Sequence, residues 1–129
     1  MAQFLTEEWL QALGEALKAH PGFGSVISGV DLTLAFEVSD PPDGLLNQYF
    51  MAIDDGTVRV GSGATDSADA SVSSNYASAS AISKGELNTQ MAFMTGKIKI
   101  SGNMGKLLQH QNIMTEFANA AAAVEVEYA

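Results

Sequence analysis

Two histidines, His20 and His110, are the only imidazoles in the sequence, and imidazole is the side chain best tuned to move protons near neutral pH. To act as a general base it needs a nucleophile within reach and a carboxylate to orient it. His20 instead precedes a proline at a helix end, and His110 lies between Gln109 and Gln111. No serine or carboxylate stands at a telling spacing from either, so both read as structural. There is no GxSxG elbow, HExxH helix, Walker loop or EF-hand spacing. Gly61-x-Gly63 is too short for a dinucleotide loop and leads into strand-like sequence. The carboxylate pairs Asp54-Asp55 and Asp66-x-x-Asp69 suit calcium weakly, but turn chemistry accounts for them. With no cysteine, a thiol nucleophile, a thiolate zinc site, a CxxC redox centre and a disulfide framework are all excluded. The expectation is a protein that is not an enzyme, with no catalytic residue, no cofactor and no metal.

Two other patterns point to apolar recognition. Five of the six methionines (Met51, Met91, Met94, Met104 and Met114) fall in the C-terminal two-thirds, joined by Phe93 and Phe117. Methionine is flexible and polarizable, so it fills irregular volumes and adapts to guests of varied shape; packing the core is the plainer use. Charge is also segregated. Lys97, Lys99 and Lys106 fall within ten residues, and no acid occurs between Glu86 and Glu116, although the whole chain has 15 acids, six bases and a net charge of −9. Lys97 and Lys99 share a strand face opposite Ile98 and Ile100. That patch suits a carboxylate, a phosphate headgroup or a membrane, or it is simply a solvated face. The overall acidity disfavours nucleic acid and stable adsorption to anionic lipid.

These side chains must be positioned by one folded unit. The 129 residues are 47% hydrophobic and 16% charged, too apolar for disorder and of the right length for a single domain spanning 1–129. No basic, then apolar, leader opens the sequence, and no apolar run reaches the roughly 20 residues of a membrane helix. The ending Glu127-Tyr128-Ala129 is neither a prenylation box nor a peroxisomal signal. A soluble, cytoplasmic, acidic protein is expected.

Thr6 caps an amphipathic helix over 5–20, with Leu5, Trp9, Leu10, Leu13 and Leu17 on one face and His20-Pro21-Gly22 as its stop. The period then changes to two. In Val30–Val38 every even residue is large and apolar. Tyr49–Ile53 and Thr57–Val60 form a hairpin through Asp54-Asp55-Gly56, and Ala68–Ser73 is a fourth strand. Tyr76 to Ser83 returns to helix, with Gly85 as its stop. Leu87, Met91 and Met94 share a face of a short helix closed by Gly96. Lys97–Ser101 is a fifth strand, and Asn103 caps a long final helix through Met104, Leu107, Leu108, Met114, Phe117 and Ala118. This order belongs to an α+β domain.

The run 85–112 then carries a resemblance. Gly85-Glu86-Leu87-Asn88-Thr89-Gln90-Met91-Ala92-Phe93-Met94-Thr95-Gly96-Lys97-Ile98-Lys99-Ile100-Ser101-Gly102-Asn103-Met104-Gly105-Lys106-Leu107-Leu108 resembles the signature of sterol carrier protein 2 (SCP2) domains. There a helix rich in aromatic and methionine residues meets a Gly-Lys-φ-Lys-φ-Ser/Thr-Gly strand, and Asn/Asp-Met-Gly opens the last helix. Residues 45–60 resemble the family's second strand and hairpin, with Tyr49 where tryptophan is common. The resemblance implies a five-stranded, mostly antiparallel sheet with helices packed on one face and an apolar tunnel between the layers. It implies binding and intracellular carriage or presentation of fatty acids, fatty acyl-CoA, sterols or similar lipids, without chemistry. By motif position, Met91, Phe93, Met94, Met104, Leu107 and Leu108 are expected to line the tunnel, with Tyr49, Met51 and Ile53 on the sheet side. Lys97, Lys99 and Lys106 are headgroup candidates. The alternative is a structural or dimerisation module of the same fold acting with a partner enzyme. A homodimer and transient membrane contact remain open.

Overall fold

In a computed structural model, which describes residues 2–127 apart from 64, 66, 67, 85, 88 and 125, a two-residue strand β1 (Ala2–Gln3) leads into the first helix. The Thr6 hydroxyl accepts a hydrogen bond from Trp9 N–H at 3.2 Å and donates to the Gln3 carbonyl at 2.7 Å. This cap satisfies an amide that the helix itself cannot. Helix α1 (Glu7–Ala19) buries Trp9, Leu10, Leu13 and Leu17, and ends at His20. Pro21 does more than stop it. It is the first residue of α2 (Pro21–Ile27), a helix the hydrophobic periodicity does not predict. Proline suits that position because its missing N–H has no helical partner there and its φ is preset. Phe23 and Ile27, one turn apart, are buried beneath it.

The sheet follows from alternation. Strands β2 (Asp31–Ser39), β3 (Gln48–Asp54), β4 (Thr57–Ser62), β5 (Ala70–Asn75) and β6 (Ile98–Gly102) form one five-stranded sheet in the order β4-β3-β2-β5-β6. All neighbours are antiparallel except β2 and β5, which run parallel. The register places side chains of equal parity in rows across the sheet. One row reads Tyr49, Phe36, Val72, Ile100; the next reads Val60, Met51, Leu34, Ala70. Both rows face the helices, so slipping one strand by a residue would turn its apolar set to solvent. The β3–β4 turn has Asp55 at φ 43° and Gly56 at φ 86°, the two positive φ values of the hairpin turn that the Asp-Gly pair predicts.

Four helices complete the covered face: α3 (Tyr76–Ser83), α4 (Thr89–Met94), α5 (Met104–Gln109) and α6 (Gln111–Ala122). Helix α3 starts where the Asn75 side chain accepts from Ser78 N–H at 2.8 Å; its expected stop, Gly85, lies outside the described residues. Helix α4 closes with Gly96 at φ 77°, Gly96 N–H donating to the Phe93 carbonyl and Lys97 N–H to the Ala92 carbonyl. That pair of bonds is the glycine-terminated helix end. The single long final helix expected from Asn103 onward is instead two. His110, at φ −116° and ψ 37°, leaves helical geometry and serves as end cap of α5 and start of α6. A last strand, β7 (Val126–Glu127), pairs in parallel with β1. The accessible surface of 6825 Å² is near the roughly 6,500 Å² expected for this mass. Among the described residues no helix is long and apolar enough to cross a membrane.

Candidate functional site

Between the sheet and the helices lies an inner hollow of about 60 Å³. Its sheet wall includes Phe36, Tyr49 and Val72; its helical wall includes Ile82, Met114, Phe117 and Ala118; Phe4 and Trp9 also line it. Aromatic rings build most of it. Phe36 stacks on Tyr49 at 4.8 Å and 10°, and on Phe117 at 5.5 Å and 12°. Trp9 meets Tyr49 edge to face at 5.3 Å. Such offset and edge contacts hold ring positions more firmly than aliphatic packing does. Burial pushes the Tyr49 phenol well above its ordinary ionisation range, so it stays neutral and ordinary pH leaves the hollow uncharged there.

A larger groove of about 340 Å³ opens beside it, at the lower end of the size range of small-molecule sites. Ile82 of α3, Leu87, Phe93 of α4, Ile100 of β6, and Met104, Leu107 and Leu108 of α5 form its apolar side. Helix α6 supplies the opposite edge. Gln111, Thr115 and Asn119, each four residues apart and so aligned on one helical row, border the groove with Met114, Ala118 and Ala122 beside them. Ile82, Met114 and Ala118 line both spaces. These three side chains therefore stand between the two spaces, and Met114 is the most adaptable of them.

The expected site residues separate into three groups. Phe93, Met104, Leu107 and Leu108 come together around the groove, and Tyr49 lines the inner hollow. Met51 and Ile53 are fully buried beneath the helices and border neither space. Met91 and Met94 project from α4 to solvent. None of the three headgroup lysines lines the groove. Lys97 and Lys99 are exposed, whereas Lys106 Nζ lies 3.2 Å from Asp69 Oδ1. Sequence reasoning overlooked the α6 row Gln111, Thr115, Asn119 and the partition residue Ile82. The row was visible as a polar repeat of four within an apolar helix.

The histidines hold structure together. His20 Nε2 is 2.8 Å from Glu116 Oε2, joining the α1–α2 junction to α6, and His110 occupies the α5–α6 break. Among the described residues no group of three or more His, Asp or Glu side chains is placed to hold a metal ion; Asp66 of the acidic pair lies outside them.

Comparison with known proteins agrees with this architecture. The model of the SCP-2 sterol transfer family matches residues 12–115. Sterol carrier protein 2 of Gallus gallus is 32% identical over 110 residues, which is 85% of this chain and 18% of that protein. The Homo sapiens protein of the same name is 33% identical over 86 residues, 67% of this chain and 16% of that protein. The chain thus spans less than a fifth of the length of these curated relatives. A crystal structure of sterol carrier protein 2 superposes with a TM-score of 0.81 at 20% identity, covering 95% of this chain and all of that one. With its motif, sheet order and helical cover in agreement, the chain belongs to the SCP-2 sterol transfer family.

Proposed function

We propose that this domain binds and carries a lipid, such as a fatty acid, fatty acyl-CoA or sterol, without altering it. The aliphatic part occupies the groove between α4, α5 and α6, and the polar end rests along Gln111, Thr115 and Asn119. The groove itself carries the reading: about 340 Å³ of space walled by Ile82, Leu87, Phe93, Ile100, Met104, Leu107 and Leu108. Burying a 16-carbon chain gains on the order of 10 kcal/mol gross, and immobilising it offsets a large share. A bilayer offers the same chain similar burial. Exchange between the two therefore sits near balance, which suits shuttling or presentation more than storage.

Native mass spectrometry of freshly purified protein tests this directly. The expected spectrum contains a lipid adduct, and the protein takes up a fluorescent fatty acid that unlabelled lipid displaces. Ala122→Trp fills the groove from an exposed position on α6 and should weaken uptake roughly tenfold or more by loss of buried chain. Protein that carries no lipid and takes up none from solution overturns the reading.

A further inference from the structure

Trp9 is the single tryptophan of the chain, and its indole N–H is buried with no hydrogen-bond partner in the protein. A buried tryptophan ordinarily gives that proton to an acceptor, and leaving it unpaired is costly. Among the described residues one other buried side-chain atom shares this state, the Ser80 hydroxyl oxygen. Ser80 borders neither open space, whereas Trp9 lines the inner hollow. The orphaned donor and the cavity therefore belong to one place.

The indole is also held still. Phe4 meets it edge to face at 4.9 Å and 81°, and Tyr49 does so at 5.3 Å and 87°. A donor fixed beforehand loses little freedom when an acceptor arrives. The hollow's volume of about 60 Å³ exceeds the roughly 10–15 Å³ that one water-sized group needs, so a terminal hydroxyl or carbonyl fits. Charge narrows the choice further. Among the described residues no lysine or arginine lines the hollow, and Glu37 does. An anionic end would meet that carboxylate with no cation to offset it; an uncharged oxygen would not.

We infer that the inner hollow is a second recognition site, in which the Trp9 indole N–H donates to an uncharged oxygen, a hydroxyl or a carbonyl, at the leading end of the carried lipid. The inference deepens the lipid-carrying reading and rests on it: the chain lies in the groove, and its leading end passes Met114, which lines both spaces. A guest ending in a plain methyl leaves the indole proton unpaired. One ending in a hydroxyl satisfies it. The hollow thus selects lipids oxygenated at the far end over simple alkyl chains of equal length, because the site's own buried donor penalises the guest that lacks the oxygen. The rival use of this proton is an N–H contact with the face of a neighbouring ring.

Displacement of a fluorescent fatty acid from the full chain by ω-hydroxyhexadecanoate and by hexadecanoate measures this selection. A hydroxyl ordinarily weakens burial in an apolar site, so a gain reports a partner. The hydroxy acid should bind roughly tenfold tighter. Trp9→Phe keeps a ring, removes the donor and should erase the difference. Because a core variant can fail to fold, the native chain supplies a second readout. Its single tryptophan gives one indole N–H resonance in a proton–nitrogen correlation spectrum. That resonance should move downfield with the hydroxy acid and not with hexadecanoate. Equal native affinity for the two acids, or an advantage that survives Trp9→Phe, overturns the inference and leaves lipid carriage standing. So does an indole resonance that responds alike to both acids, since a neighbouring ring then holds the proton. If the native chain binds neither acid, lipid carriage itself is overturned and this site goes with it.

Discussion

Lys106 and Asp69 form an ion pair at 3.2 Å that ties α5 to the start of β5. The same carboxylate accepts a hydrogen bond from Thr33 N–H at 2.8 Å, and Asp69's own carbonyl accepts one from Asn103 N–H at 2.8 Å. Asp69 thus joins β2, β5 and the β6–α5 connection that carries the groove's α5 wall.

The two partners should differ in worth. Each is partly exposed, so Lys106→Ala is expected to cost less than about 1 kcal/mol, the usual value of an exposed pair. Asp69→Ala also strands the Thr33 amide and should cost about 1–3 kcal/mol. Urea unfolding of both variants checks this, and equal losses would show that the ion pair dominates.

Gly102 lies at φ +99°, and a Cβ there would sit 2.7 Å from the Asp69 carbonyl oxygen and 2.9 Å from Ala70 Cα. Both obstacles are backbone. Gly102→Ala should therefore destabilise by more than about 3 kcal/mol. Gly63→Ala is the control: φ is +91° but nothing lies within 4 Å, so only the conformational cost of about 1–2 kcal/mol is expected. Denaturant midpoints of the two variants separate the clash from the backbone preference.

Acidity should act through the hairpin end. Asp54 lies opposite Asp31 in the β2–β3 register. A hydrogen bond with Asp31, and repulsion from Asp31 and Asp55, raise the Asp54 carboxyl above its ordinary 3.8. The folded chain therefore holds this proton more tightly than the unfolded one. Its contribution is complete below the ordinary carboxylate value and is lost as pH rises through the raised one. Asp54→Asn keeps a hydrogen-bonding group without the charge. Melting temperatures should match in acid, and the variant should become the more stable as pH climbs past that window.

Met114 separates the groove from the inner hollow. Met114→Ala joins the two spaces, at a cost of about 1–3 kcal/mol for a half-buried methionine. Competition by a series of fatty acids should then favour longer chains than the native protein does. An unchanged order of preference would place the bound chain elsewhere.

The strands were legible because a sheet covered on one face writes its orientation into alternate residues, as in Leu32, Leu34, Phe36 and Val38. The motif over 85–112 likewise pointed to Phe93, Met104, Leu107 and Leu108 as companions. What escaped were features set by distant packing. Periodicity shows that Met91 and Met94 share a helical face, but not whether anything covers it. Neither proline nor glycine stands beside His110, so no strong local breaker marks the end of α5 there. Beyond the break, α6 packs against α1 and α2. Pro21 reads locally as an ending, yet its place in the first turn of α2 also makes it a beginning. The row Gln111, Thr115, Asn119 has no local signal of a site, since only the fold brings α4 and α5 to the same groove.

The short clasp of β1 and β7 has a mechanical consequence. The two strands point the same way, Ala2 beside Val126 and Gln3 beside Glu127, with Phe4 N–H donating to the Glu127 carbonyl at 2.8 Å. Tension on the two ends pulls them past each other along a common axis, so their bonds are sheared together instead of peeling in turn. Phe4 follows directly and lines the aromatic chamber. A tug strong enough to part the clasp would therefore load that ring next, before the strain reaches α1.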